Sequence, residues 1–257
     1  MTIRQIKGIV AAAAFLLASA TAWAQRGPGW GMRGGTSGSG ICSAQLESLP
    51  KQTMDAAETS QLLYMREEEK LARDVYAQLY ARWGSPVFAR ISQSEQRHFD
   101  ALKMLLDRYG LTDPAAGKAV GAFSDSGLQT LYGDLVKKGE ASLVAASTVG
   151  ATIEDLDIHD LDKAMAATDN VDLKTVYQNL EQASRNHMRA FTAQLTGLNA
   201  TYKAQYISDA LLSEILSNAQ GGRMGRGGMG SGAGPGGPGT GICPNGNTPG
   251  GAPRRPW

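Results

Sequence analysis

Glu95 and His98 stand three residues apart in a stretch that reads as helix, so both side chains leave the same side of it. A carboxylate and an imidazole held together in this way can ligate one metal ion or two adjacent ions. Alone, the pair is a weak signal, because a histidine facing a core is often just a hydrogen-bonded packing residue. Its meaning depends on what the other helices present at the same height.

Helical periodicity recurs from about residue 55 to 195, and no bounded run of strand-type alternation stands out. The spacing predicts long helices over 55–82, 85–110, 140–167 and 170–195, with a shorter one over 126–138 in the linker. Asp55 and Glu58 form a capping-box pattern, Gly84 supplies a stop, and Ser85-Pro86 opens the second helix. The third is expected to break near Gly150. Four long helices in a domain of this size imply an all-α bundle with short accessory helices.

The inward seam of each helix carries polar residues near its middle. The first seam reads Leu62, Met65, Glu69, Ala72, Tyr76, Leu79. The second reads Phe88, Ile91, Glu95, His98, Leu102, Leu105. Glu154 and Asp157 interrupt the third, and Ser184 and His187 the fourth. Burying several carboxylates at one level is prohibitive unless cations neutralise them. An oxygen-rich set with imidazoles suits iron or manganese better than the closed thiolate site of structural zinc. The expected metal ligands are therefore Glu69, Glu95, His98, Glu154, Asp157 and His187. Tyr76 and Tyr177 are expected near them. Glu67 and Glu68, beside the seam, are expected to be solvated or to support the ligands from behind, and His159 falls on the opposite face.

The segments Leu63-Tyr64-Met65-Arg66-Glu67-Glu68-Glu69-Lys70-Leu71-Ala72-Arg73-Asp74-Val75-Tyr76, Ser92-Gln93-Ser94-Glu95-Gln96-Arg97-His98 and Ser184-Arg185-Asn186-His187-Met188-Arg189-Ala190-Phe191 add a resemblance. In this order they resemble the bacterial and archaeal family catalogued as domain of unknown function 2202, a ferritin-like group, over about residues 55–210. The resemblance implies a ferritin-like antiparallel four-helix bundle with one long crossover. It also implies a dinuclear site with a lone Glu on each of two helices and a Glu-x-x-His pair on each of the other two. Glu69 and Glu154 match the lone glutamates, Glu95 and His98 the first pair, and His187 the histidine of the second. Ser184 stands where that second pair has its glutamate, and Asp157 is positioned to supply the missing carboxylate. The implied chemistry is Fe(II) oxidation, or dioxygen or peroxide activation, at a di-iron or iron/manganese centre. The alternatives are a metal-sequestering protein without turnover and a helical interaction module.

The ends set the expected compartment. Arg4 and Lys7 precede an apolar run over 9–17 that is too short to cross a bilayer, and Ala22-Trp23-Ala24 suits signal peptidase. Residues 1–24 thus read as a signal peptide, which implies a periplasmic or secreted protein. Residues 25–45 and 219–257 read as Gly-rich disordered tails around a domain at 46–218. The chain carries a net +1, but eight of its basic residues lie outside 34–222, leaving that region at −7. An acidic domain disfavours nucleic acid as partner and suits metal ions, while the tail arginines could contact the envelope. No later segment reads as transmembrane, and the oligomeric state is not legible. The two cysteines, Cys42 and Cys243, are expected to form a disulfide.

Overall fold

Local punctuation positions the helices. In the computed structural model, which describes residues 41–218, α1 spans Ser43–Glu47, α2 Ala56–Trp83, α3 Pro86–Tyr109, α4 Ser126–Gly139, α5 Leu143–Ala167, α6 Val171–Gly197 and α7 Asp209–Ser217. At the head of α2, Asp55 accepts from the Glu58 amide while the Glu58 side chain accepts from the Asp55 amide. Gly84 then ends α2 in the left-handed region, φ 63°, which a residue with a Cβ adopts only at a cost. Pro86 starts α3 with its fixed φ and no amide to leave unpaired. The expected leader, the tails beyond these bounds and Cys243 lie outside the described residues. The domain boundary expected at 46 falls within α1, where Leu46 is buried, as is Ile41 just before the helix.

A two-residue turn forces α2 and α3 to run antiparallel, and residues 168–170 do the same for α5 and α6. Between the hairpins, cross-helix contacts fix the directions. Tyr76 meets Gly150 and Glu154, while Glu58 meets Thr168 and Asn170, so α2 and α5 are antiparallel. Ser85 meets Gln194 and Arg108 meets Asp172, so α3 and α6 are too. The result is an all-helical four-helix bundle whose halves are joined by one long connection, residues 110–142, that carries α4. None of the described helices is long and apolar enough to cross a membrane.

Two hydrophobic clusters fill the bundle. One contains Leu71, Val75, Tyr76, Phe88, Ile91, Ile153 and Phe191, and the other Leu62, Met65, Leu102, Leu105, Leu161 and Leu180. Between them, along every long helix, lies a layer of polar side chains. This layer is where the seam residues fall.

The connection also explains a run that breaks ordinary burial rules. Arg66, Glu67, Glu68, Glu69 and Lys70 are all buried, although charged residues are rarely fully buried unless paired. Residues 110–125 wrap over this part of α2 and supply partners. Arg66 pairs with Asp113, Lys70 donates to the Ala119 carbonyl, and Glu67 accepts from the backbone amides of Ser124 and Asp125.

The break expected at Gly150 does not occur, and α5 runs through it unbroken. Gly150 is needed for space rather than for a bend. A Cβ there would lie 2.4 Å from a ring carbon of Phe191, which is itself fully buried against Tyr76 and Phe88. Gly150→Ala is therefore expected to lower stability by about 1–3 kcal/mol through overpacking, despite alanine's better helix propensity. Thermal melts check this, and unchanged or raised melting would contradict it.

Candidate metal centre

Glu95 sits at the middle of the polar layer with one carboxylate oxygen turned to each histidine. Its Oε2 lies 2.7 Å from His98 Nδ1, and its Oε1 lies 2.8 Å from His187 Nδ1. On the far side of His98, Glu69 Oε2 approaches the same nitrogen at 3.3 Å. On the far side of His187, Glu154 Oε2 approaches at 3.4 Å. The imidazoles stack, centroids 5.5 Å apart and planes at 24°. Two groups able to offer ligand atoms to a metal ion result, Glu69–Glu95–His98 and Glu95–Glu154–His187, with Glu95 common to both.

Each helix contributes by its seam: α2 gives Glu69, α3 the i, i+3 pair Glu95 and His98, α5 Glu154, and α6 His187. The atoms converge without satisfying one another. His98 Nδ1, His187 Nδ1, Glu69 Oε1 and Glu95 Oε1 are buried and lack a hydrogen-bond partner. Close N–O approach without hydrogen-bond alignment is the expected geometry for ligands that point at a shared cation rather than at each other. The donor set of carboxylate oxygens and imidazoles fits a hard or borderline ion such as iron or manganese.

The charges oppose one another strongly. Burial pushes Glu69 up to about 7, aided by Glu95 and opposed by His98. Burial also raises Glu154, with Glu95 adding to it. Against the effect of burial, the two imidazoles hold Glu95 below the usual carboxylate range. Burial disfavours charge on the histidines, yet the carboxylates outweigh it. His187 rises to about 9 and His98 well above its ordinary value.

These shifts fix a sign. His187 goes from 6.5 unfolded to about 9 folded, so the stability it adds is complete below pH 6.5 and lost as pH rises through 9. Glu69, raised from 4.5 to about 7, acts the same way, complete below pH 4.5 and lost as pH rises through 7. Depressed Glu95 acts oppositely, but only in acid. Metal-free protein is thus expected to melt lower at pH 9 than at pH 6. Its affinity for Mn(II) should rise over that span, because the cation displaces those protons. Affinity independent of pH would contradict this.

Asp157, the sixth expected ligand, belongs to neither group. Its Oδ2 accepts from the Ser184 hydroxyl and its Oδ1 has no partner. Burial, with Glu69, Glu68 and Glu154 nearby, raises it well above the ordinary range. The serine in the glutamate position is thus paired with the carboxylate expected to compensate for it.

Tyr76 donates to Glu154 Oε1 at 2.5 Å, as its seam position suggests. Tyr177 does not approach the centre. It is ten residues from His187, about 15 Å along α6, and packs in the other cluster, with Glu58, Asp172 and Tyr109 as the charged or polar groups acting on it. His159 pairs with Asp160 away from the layer. Glu67 and Glu68 are not solvated. Nothing in the spacing of α2 signals this, because the cover comes from a distant segment.

Fold and site together define a class, an all-helical bundle with a carboxylate–histidine layer dividing its core. The chain belongs to the family described as Uncharacterized protein domain (DUF2202), whose model matches residues 58–219. It is 50% identical over 174 residues to the uncharacterized protein MJ0754 of Methanocaldococcus jannaschii, covering 68% of this chain and 94% of that protein. The crystal structure of the hypothetical protein MJ0754 is similar, with TM-score 0.65 and 51% identity, over 66% of this chain and 97% of the other.

Proposed function

We propose that this chain is an exported, ferritin-like protein that holds a di-iron or iron/manganese pair and oxidises Fe(II) or activates dioxygen or peroxide. The observation that carries the reading is the sharing of Glu95 between two three-ligand groups. A carboxylate that turns one oxygen each way is suited to bridge two cations, and the groups on either side are alike. The single long connection supports a ferritin-like assignment, as does the Glu-x-x-His pair flanked by a glutamate from each of two helices.

Glu69, Glu95, His98, Glu154 and His187 would hold the iron, which when bound as Fe(II) would supply the electrons for reducing dioxygen or peroxide. The chain's own residues orient and shield. Tyr76 fixes one oxygen of Glu154 and leaves the other facing His187. The two apolar clusters close the layer above and below, which keeps bulk water from the ligands. With three residues offering ligand atoms in each group, an ion held there would not be enclosed by protein ligands alone. The acidic domain draws cations toward the bundle.

One observation favours a second reading, sequestration without turnover. With Ser184 paired to Asp157, the layer has one bridging carboxylate where a symmetric site has two. Anaerobic loading with Fe(II) followed by exposure to oxygen separates the readings. The proposal predicts oxygen consumption coupled to Fe(III) formation, and sequestration predicts bound iron without consumption. Failure to bind iron would contradict both. The exported location rests on the leader read at residues 1–24.

A further inference from the structure

The two carboxylates that flank the centre are alike on their inner sides and differ on their outer ones. Glu69 Oε2 stands 3.3 Å from His98 Nδ1 and Glu154 Oε2 stands 3.4 Å from His187 Nδ1. Each completes one ligand group with the shared Glu95. Glu154 Oε1, however, accepts from the Tyr76 hydroxyl at 2.5 Å. Glu69 Oε1 is buried with no hydrogen-bond partner among the described residues.

Tyr76 is itself held in place. Its ring is fully buried, with its centroid 5.2 Å from that of Phe191 and 6.3 Å from that of Phe88, both fully buried as well. The same hydroxyl lies 3.3 Å from the Gly150 carbonyl oxygen, one turn before Glu154 on α5. The phenol is thus fixed between α2, which carries it, and α5, which carries the ligand. Glu154 is therefore ordered before a cation arrives. Glu69 has no such anchor, so a cation must order it on binding, at a cost in side-chain freedom. The other ligands do not offset the difference, since Glu95 is common to both groups and the two histidines are buried to the same degree.

We infer that the two cation positions are unequal and that Tyr76 makes them so. The position formed with Glu154 and His187 keeps its ion as a resident, and the position formed with Glu69 and His98 is the one at which ions enter and leave. The inference rests on the metal-centre reading above. An outer hydrogen bond that orients a ligand is worth about 10–100-fold in affinity, and of the two flanking carboxylates only Glu154 has one. Tyr76 is a positioning residue, acting through Glu154.

Adjacent cations repel one another, so the positions are compared singly. His98→Ala leaves the Glu154–His187 position and His187→Ala leaves the Glu69–His98 position. Each full chain, freed of metal, is titrated with Mn(II) while the free ion is followed by electron paramagnetic resonance. His98→Ala is expected to bind at least about ten-fold more tightly than His187→Ala. Adding Tyr76→Phe should weaken binding by about 10–100-fold in the first background and leave the second unchanged, a pattern that a general loss of packing would not produce. Wild-type crystals grown with one equivalent of Mn(II) should show the anomalous peak beside His187. Equal affinities of the two histidine variants, a Tyr76→Phe effect of equal size in both, or a first ion beside His98 would each overturn the inference and leave the centre standing. Wild-type protein that binds no Mn(II) would overturn both. Should the variants fail to fold, the place of the first ion in the wild-type crystals decides alone.

Discussion

Glu95→Ala is expected to lose both cations at once, whereas His98→Ala and His187→Ala each retain one. The asymmetry follows from the geometry, since Glu95 is the residue common to both ligand groups and each histidine serves only one. Removing a direct ligand exceeds the loss of an outer partner, which alone costs about 10–100-fold in affinity. Affinity at both positions should therefore fall by at least ~100-fold. Metal analysis after gel filtration reads the result, and circular dichroism confirms that the variant is folded. A Glu95→Ala protein that keeps a full complement would remove Glu95 from the site.

The second large effect is on stability. Metal-free protein holds three carboxylates and two imidazoles in a buried layer, with ligand atoms that lack hydrogen-bond partners in the protein. A cation that binds only the folded chain stabilises it by about 2.7 kcal/mol per site at a hundred times its dissociation constant. For two sites in a domain of this size, melting should rise by roughly 10–20 °C. A chelator should reverse the rise, and Glu95→Ala should show none of it. Equal melting with and without Mn(II) would mean that the layer is satisfied by protons alone.

How far the sequence discloses this site depends on which interactions are local. Helix limits follow from Asp55, Gly84, Ser85-Pro86 and Gly110, whose roles lie within a few residues of themselves. The seam reading places Glu69, Glu95, His98, Glu154 and His187 at one level, because heptad position predicts which side chains enter a bundle. It cannot tell that Asp157 pairs with Ser184, since that depends on the distance between two helices. It places Tyr177 too near the centre because facing inward is not the same as lying at the right height.

The charged residues beside Glu69 are where the helix pattern discloses least. Glu67 and Glu68 read as solvated or supporting residues beside the seam, yet both are buried, and the 110–125 segment folds over this part of α2 with partners for Arg66, Glu67 and Lys70. The signal lies in the crossover, at Asp113 and the Ser124–Asp125 amides, far from the helix they cover. Gly150 shows the reverse case. A local rule predicts a break, and a tertiary contact with Phe191 explains the residue without one.

The most direct measurement is anomalous scattering from crystals grown with Mn(II) or anaerobically with Fe(II). The proposed centre predicts two peaks in the polar layer, one on each side of the Glu95 carboxylate, the first against Glu69 and His98 and the second against Glu154 and His187. No peak at Glu95 in metal-loaded crystals would contradict it.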